Sequence, residues 1–197
     1  MIEKIVDKII NKQLEEKTIS KEDINIYRYG YTLVCEVFIN IIIAIIIATI
    51  LKEWILVVLF LIIYIPLRSY CGGWHADKLW KCTIYSNLIL VLLIISNEYA
   101  IRMVTGIIFL IVFIVCALPI FYMAPVDTES KPISIDEKKV YKKKIKIIVL
   151  LHFFIVAAML FVDRNKIMYV IVFAYITQAV MLIIEKICRK IKKDIEK

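Results

Sequence analysis

The chain has 197 residues, 62% of them hydrophobic, with a mean hydropathy of +0.83 and a formal net charge of +8. A soluble domain is nearer about 45–50% apolar, and a soluble fold of this size has no way to hide the surplus. The basic residues flank the apolar runs, so the charge reads as membrane topology rather than as a nucleic-acid surface.

At the N-terminus, Ile2, Ile5, Val6, Ile9, Ile10 and Leu14 recur at spacings of three and four. This predicts an amphipathic helix lying in the inner headgroup region, with packing on cytoplasmic loops as the alternative. The first twenty residues alternate charge with isoleucine and lack an apolar h-region, so no cleavable signal peptide is expected. Ser20 followed by Glu22 and Asp23 marks a new helix start. Continuous apolar runs such as 41–51 and 55–67 are those of lipid-facing helices. Six spans are predicted, at residues 31–51, 54–70, 82–95, 103–122, 147–162 and 167–184. Several fall short of the ~20 residues of a perpendicular crossing, notably the second and third. Residues 125–136, with Pro132, form the longest expected non-helical stretch, and the tail from Glu185 reads as a second interfacial helix. No repeat or linker is evident. The expected fold is all-α and polytopic, a single domain over 1–197.

Lysine and arginine divide sharply among the connections. The N-terminal segment, second loop, fourth loop and tail carry six, three, seven and six. The first, third and fifth loops carry one, one and two. Both termini and the second and fourth loops are therefore expected in the cytoplasm.

The five cysteines, Cys35, Cys71, Cys82, Cys116 and Cys188, form no disulfide framework and no CxxC pair. Most read as small buried hydrophobes. Two separated histidines give no zinc cluster, and no cofactor is called for.

One segment concentrates unusual residues: Arg68-Ser69-Tyr70-Cys71-Gly72-Gly73-Trp74-His75-Ala76-Asp77, then Cys82. It holds two of the four glycines and one of the two histidines, with a cysteine seven residues beyond. Imidazole and thiol are the parts of a thiol protease: one accepts a proton near neutrality, the other attacks a carbonyl as thiolate. In an unbroken helix, seven residues would separate the two by ~10.5 Å along the axis, too far for proton transfer. The chain must bend. Gly72 and Gly73 permit a bend, and Asp77 can cap a helix beginning at Lys78. Cys82 would then sit near the positive end of that helix, where the dipole, Lys78 and Lys81 favour thiolate. A gated loop with an incidental cysteine is the competing reading. No third triad member is identified, since capping explains Asp77 equally well.

Other candidates are weaker. His152 lies in an apolar run and reads as a packed or interfacial histidine. Glu36 lies within the first span near Asn40; an intramembrane carboxylate suggests function, and pairing with Arg28 or snorkelling is the structural alternative. The 138–146 lysine run reads as inner-leaflet anchoring, or as a lure for an acidic peptide tail.

The segment resembles the AgrB family of bacterial quorum-sensing membrane endopeptidases. Arg68, Gly73, His75, Ala76 and Cys82 match the family pattern at its intervals. Ala124, Pro125, Val126 and Asp127, followed by Lys131 and Pro132, match a second family feature. The resemblance covers essentially the whole chain. It implies cleavage of an AgrD-like precursor peptide in the bacterial cytoplasmic membrane, on the way to a thiolactone autoinducer. It also implies His75 and Cys82 as catalytic pair and a homodimer. Arg68, Gly72, Gly73 and Lys78 are expected to bind substrate, hold an oxyanion or support the loop. For Arg68, fixing the loop and binding a precursor carboxylate stand beside binding of a lipid phosphate.

Two rival readings come from other classes. A small peptide transporter would line its path with Glu36, Asn40 and Gln178. A membrane scaffold would need no chemistry. Both should survive loss of Cys82; proteolysis should not.

Overall fold

The computed structural model describes residues 2–20, 23–74, 79–127, 133–162 and 165–195. Among them it has seven helices and no strand: α1 (Ile2–Glu15), α2 (Ile24–Leu51), α3 (Trp54–Cys71), α4 (Leu79–Met103), α5 (Gly106–Met123), α6 (Ile135–Met159) and α7 (Asn165–Ile195). The all-α polytopic architecture is the one the apolar runs predict. Helices satisfy every internal backbone N–H and C=O within the segment, which the hydrocarbon phase demands.

Five helices are long and apolar enough to cross a membrane: α2, α3, most of α4, α5 and residues 166–192 of α7. The fifth expected span, 147–162, falls mostly on the apolar second half of α6, which is not among these five. The first half of α6 carries Lys138, Lys139, Lys142, Lys143, Lys144 and Lys146, and only from Ile147 onward is it free of charge. Ser134 starts α6 with a capping box, accepting from the Glu137 N–H while the Glu137 carboxylate accepts from the Ser134 N–H at 2.8 Å.

The third span is longer than its apolar run suggests. Helix α4 continues past Ile95 through Ser96, Asn97, Glu98 and Arg102, and of these Ser96, Glu98 and Arg102 find polar partners. The Ser96 hydroxyl lies 2.6 Å from that of Tyr169, and the Tyr169 hydroxyl also donates to the Leu93 carbonyl at 2.9 Å. Glu98 and Arg102 pair with each other at 3.3 Å.

Helix α7 is the hub, packing against α3, α4, α5 and α6. Of its apolar window 56% is buried, against 17–28% for the other spans. Met168, Val170, Ala174, Tyr175 and Leu182 are wholly enclosed. Where a separate tail helix is expected from Glu185, the span and the tail form one unbroken helix. Helix α1 sets Val6 and Ile10 inward and leaves Ile5 and Ile9 exposed. It is fastened to the start of α2 by Asp7–Arg28 at 2.8 Å and by Gln13–Tyr31.

Successive connections fall at opposite ends of the bundle. Two contacts gather the turn after α3, the segment after α5 and the end of α7 at one end. The Val126 N–H donates to the Cys71 carbonyl at 3.0 Å, and Asp127 pairs with Arg189 at 3.3 Å.

Candidate active site

Helix α3 ends where the glycines begin. Gly72 has φ +69° and ψ −150°, and Gly73 has φ +119°. Both values lie in territory that L side chains avoid. A Cβ on Gly72 would also collide with the Val126 carbonyl oxygen. The expected bend is therefore present, and the doublet is what allows it.

Three chain segments hold this turn. The Arg68 guanidinium, on the last turn of α3, donates to the Gly72 carbonyl at 2.6 Å, to that of Gly73 at 3.5 Å and to that of Trp74. From α7, the Gln178 side-chain amide donates to the Gly72 carbonyl at 2.8 Å, and the Met181 carbonyl accepts from the Trp74 N–H at 3.1 Å. Val126 bonds Cys71 as above. A planar fork of five N–H donors suits three converging carbonyls. These bonds occupy Arg68 in fastening the turn. The Gly72 N–H is committed to the Arg68 carbonyl at 3.1 Å and the Trp74 N–H to Met181.

Beyond the turn, His75, Ala76, Asp77 and Lys78 lie outside the described residues. Helix α4 is described from Leu79, and Cys82 lies near the start of its described residues; the expected start at Lys78 lies outside them. It is half-buried and lines a cavity of about 290 Å³ between α2, α3 and α4. Arg68, Gly72 and Trp74 line the same cavity. The site thus joins the turn that leads to His75 with the face of α4 that carries Cys82.

Sequence reasoning missed two partners. Gln178 is fully buried, and its side chain reaches a glycine turn 106 residues away. Glu36 does not pair with Arg28, which is taken by Asp7. It lines the cavity, and its side chain and that of Ser86 lie against the Cys82 thiol. An intramembrane carboxylate in the first span was the available signal; its partner on another helix was not. His152 is buried as expected, with its Nδ1 3.1 Å from the Tyr175 hydroxyl.

Comparison with known proteins agrees with this reading of the chain. AgrB-like protein 2 of Clostridium perfringens (strain 13 / Type A) is 30% identical over 149 residues, covering 73% of this chain and 70% of that protein. An AgrB-like protein of Clostridium perfringens (strain SM101 / Type A) is 29% identical over the same shares of each chain. No solved structure matches. The sequence pattern described as accessory gene regulator B matches residues 2–182, and the chain belongs to that family, AgrB.

Proposed function

We propose that the protein is a membrane cysteine endopeptidase and cyclase. It cleaves the C-terminal part from an AgrD-like precursor and leaves a thiolactone intermediate of the autoinducing peptide. Membership of the AgrB family carries the broader role, quorum sensing with an AgrD-like peptide as partner. The observation that carries the finer reading is the position of Cys82. It stands near the start of the described residues of α4, at a cavity, beside a turn whose continuation bears His75.

His75 takes the proton from the Cys82 thiol. The thiolate attacks the scissile carbonyl, and the tetrahedral oxyanion collapses with expulsion of the C-terminal fragment's amine. That amine receives the proton from the imidazolium. The acyl group remains on Cys82 as a thioester. A precursor cysteine then attacks the thioester carbon, forms the ring thioester and frees Cys82. One thioester replaces another, so the step needs little driving force beyond the cost of closing the ring. Water must be kept from the intermediate, and a cavity among membrane helices favours that. The Gly72 and Trp74 N–H groups are already engaged. The Gly73 N–H and the start of α4, with Lys78, then stand as the candidate oxyanion donors. Arg68 supports the turn rather than the substrate carboxylate.

The polar residues of a transporter path are otherwise occupied. Asn40 accepts from Asn87 at 3.0 Å, and Gln178 binds the glycine turn. Cys82→Ala, co-expressed with the precursor, is expected to reach the membrane normally and to yield no cleaved fragment by mass spectrometry. Undiminished cleavage would remove Cys82 from its role. With a precursor whose acceptor cysteine is changed to alanine, wild-type enzyme should accumulate a hydroxylamine-labile adduct on Cys82.

A further inference from the structure

Glu36 is a carboxylate in the middle of an apolar helix, and its presence there is costly. The nearest cationic explanation fails, because Arg28 belongs to Asp7. What Glu36 does face is the cavity that Cys82 faces. The alignment of the two helices is fixed by an amide bridge. On α2, the Asn40 side chain bonds back to the Glu36 carbonyl at 3.0 Å, one turn earlier. On α4, the Asn87 side chain bonds back to the Thr83 carbonyl at 2.8 Å. The two amides meet at 3.0 Å, Asn87 donating to Asn40. Residues close to this bridge, Glu36 on α2 and Cys82 with Ser86 on α4, are thereby set face to face. The side chains of Glu36 and Ser86 lie against the Cys82 sulfur. Slipping either helix by one residue would turn this polar row toward lipid or packed side chains, so the bridge acts as a register pin.

We propose that Glu36 is a second proton-carrying group of the Cys82 site, serving the ring-closing half of the reaction. This rests on the thioester reading above. A carboxylate accepts a hydrogen bond from a sulfur that bears its proton, and it repels a bare thiolate. In the resting site the Cys82 S–H donates to Glu36. Once Cys82 is acylated it has no S–H to give, and the carboxylate is free to receive the S–H of the incoming precursor cysteine. Glu36 takes that proton as the precursor sulfur bonds to the thioester carbon. The bond from that carbon to the Cys82 sulfur breaks, and Glu36 returns the proton to Cys82. The products are the thiolactone, a Cys82 thiol and a Glu36 carboxylate, with every atom accounted for. The two sulfurs exchange places on one acyl carbon, so the group that faces the first is placed to face the second. His75, which has given its proton to the departing amine, is not needed for this transfer.

The test separates ring closure from cleavage. Glu36→Gln is expressed with wild-type precursor, and mass spectrometry measures released C-terminal fragment, thiolactone, linear acid and Cys82 adduct. In Glu36→Gln the ratio of thiolactone to linear acid should fall about a hundredfold or more, the scale of a lost acid–base group, and adduct builds up. An unchanged ratio overturns the proposal, and so does a ratio that stays constant while both steps slow equally. If Glu36→Gln fails to accumulate in the membrane, Glu36→Asp decides by the same ratio, since it keeps the charge but withdraws it by one methylene. A ratio like that of the parent then overturns the proposal. Cys82→Ala run in parallel keeps the two claims apart. Cleavage surviving in Cys82→Ala defeats the nucleophile, whereas a normal ratio in Glu36→Gln defeats only Glu36.

Discussion

Gln178 and Gly72 are 106 residues apart in the chain and joined by one hydrogen bond of 2.8 Å, from a fully buried side-chain amide to the carbonyl of the turn. The bond ties the most enclosed of the described spans to a turn built on two positive-φ glycines. Removing the donor leaves Arg68 as the remaining partner of that carbonyl and opens space beside α7. Gln178→Ala is therefore expected to cost about 1–3 kcal/mol, the range for loss of a buried hydrogen bond. Its effect on precursor cleavage should exceed its effect on the melting of purified protein in detergent, because the turn leads to His75. Cleavage at the parental rate would detach the clamp from the chemistry.

Arg68 offers a sharper discrimination. A residue that only supplied positive charge to a phosphate or a carboxylate would be replaced adequately by lysine. A residue that holds three carbonyls with a planar fork would not, since an ammonium has neither the reach nor the geometry. Arg68→Lys is expected to lose most precursor cleavage while still inserting in the membrane. Cleavage close to that of the parent would return Arg68 to a simple electrostatic role.

Much of this was legible beforehand. Apolar run length gave the helices, and the Gly72–Gly73 doublet gave the bend, because positive φ leaves few other choices of residue. The seven-residue interval from His75 to Cys82 named the candidate chemistry. The extent of α4 was not legible: Ser96 and Glu98 read as an exit from the membrane, and their partners Tyr169 and Arg102 appear only once helices are packed or wound. Glu36 was visible as an oddity, but a local search pairs it with Arg28. Only the meeting of α2 with α4 turns it toward Cys82. Contacts between helices distant in sequence are set by side-chain packing, on which hydrophobic periodicity is silent.

Asp127 gives a pH dependence with a defined sign. Its carboxylate accepts from Lys138 at 3.0 Å and from Arg189 at 3.3 Å, linking the segment after α5 to α6 and α7. The Lys138 hydrogen bond first, and the Arg189 bond with it, hold this carboxyl below its usual range. A group with a depressed folded pKa stabilises the fold above its unfolded value, near about 4, and that contribution fades as pH falls through the lower folded value. The pair is well exposed, so screening keeps the effect below about 1 kcal/mol. Asp127→Asn should lower the Tm slightly at pH 7, and the gap from the parent should close as pH is taken below 4. A gap that widened in acid would contradict this assignment.

The orientation of the bundle follows from joining charge to geometry. The glycine turn, the segment after α5 and the end of α7 share one end of the molecule, held by the Cys71–Val126 and Asp127–Arg189 contacts. The segments gathered there are those rich in lysine and arginine, together with Lys138 to Lys146 on α6. The connections at the other end, around Lys52, Arg102 and the turn after α6, are poor in basic residues. Retention of basic segments in the cytoplasm predicts that this end faces inside, an orientation that would give Cys82 access to a peptide made in the cytoplasm. The expected result is asymmetric labelling of intact cells by a membrane-impermeant thiol reagent. In a background where Cys35, Cys71, Cys116 and Cys188 are replaced by alanine or serine, Phe161→Cys at the opposite end should react. Ser134→Cys should react only after the cells are opened. Reaction of Ser134→Cys in intact cells would invert the protein, and with it place the proposed active site on the wrong side for a cytoplasmic precursor.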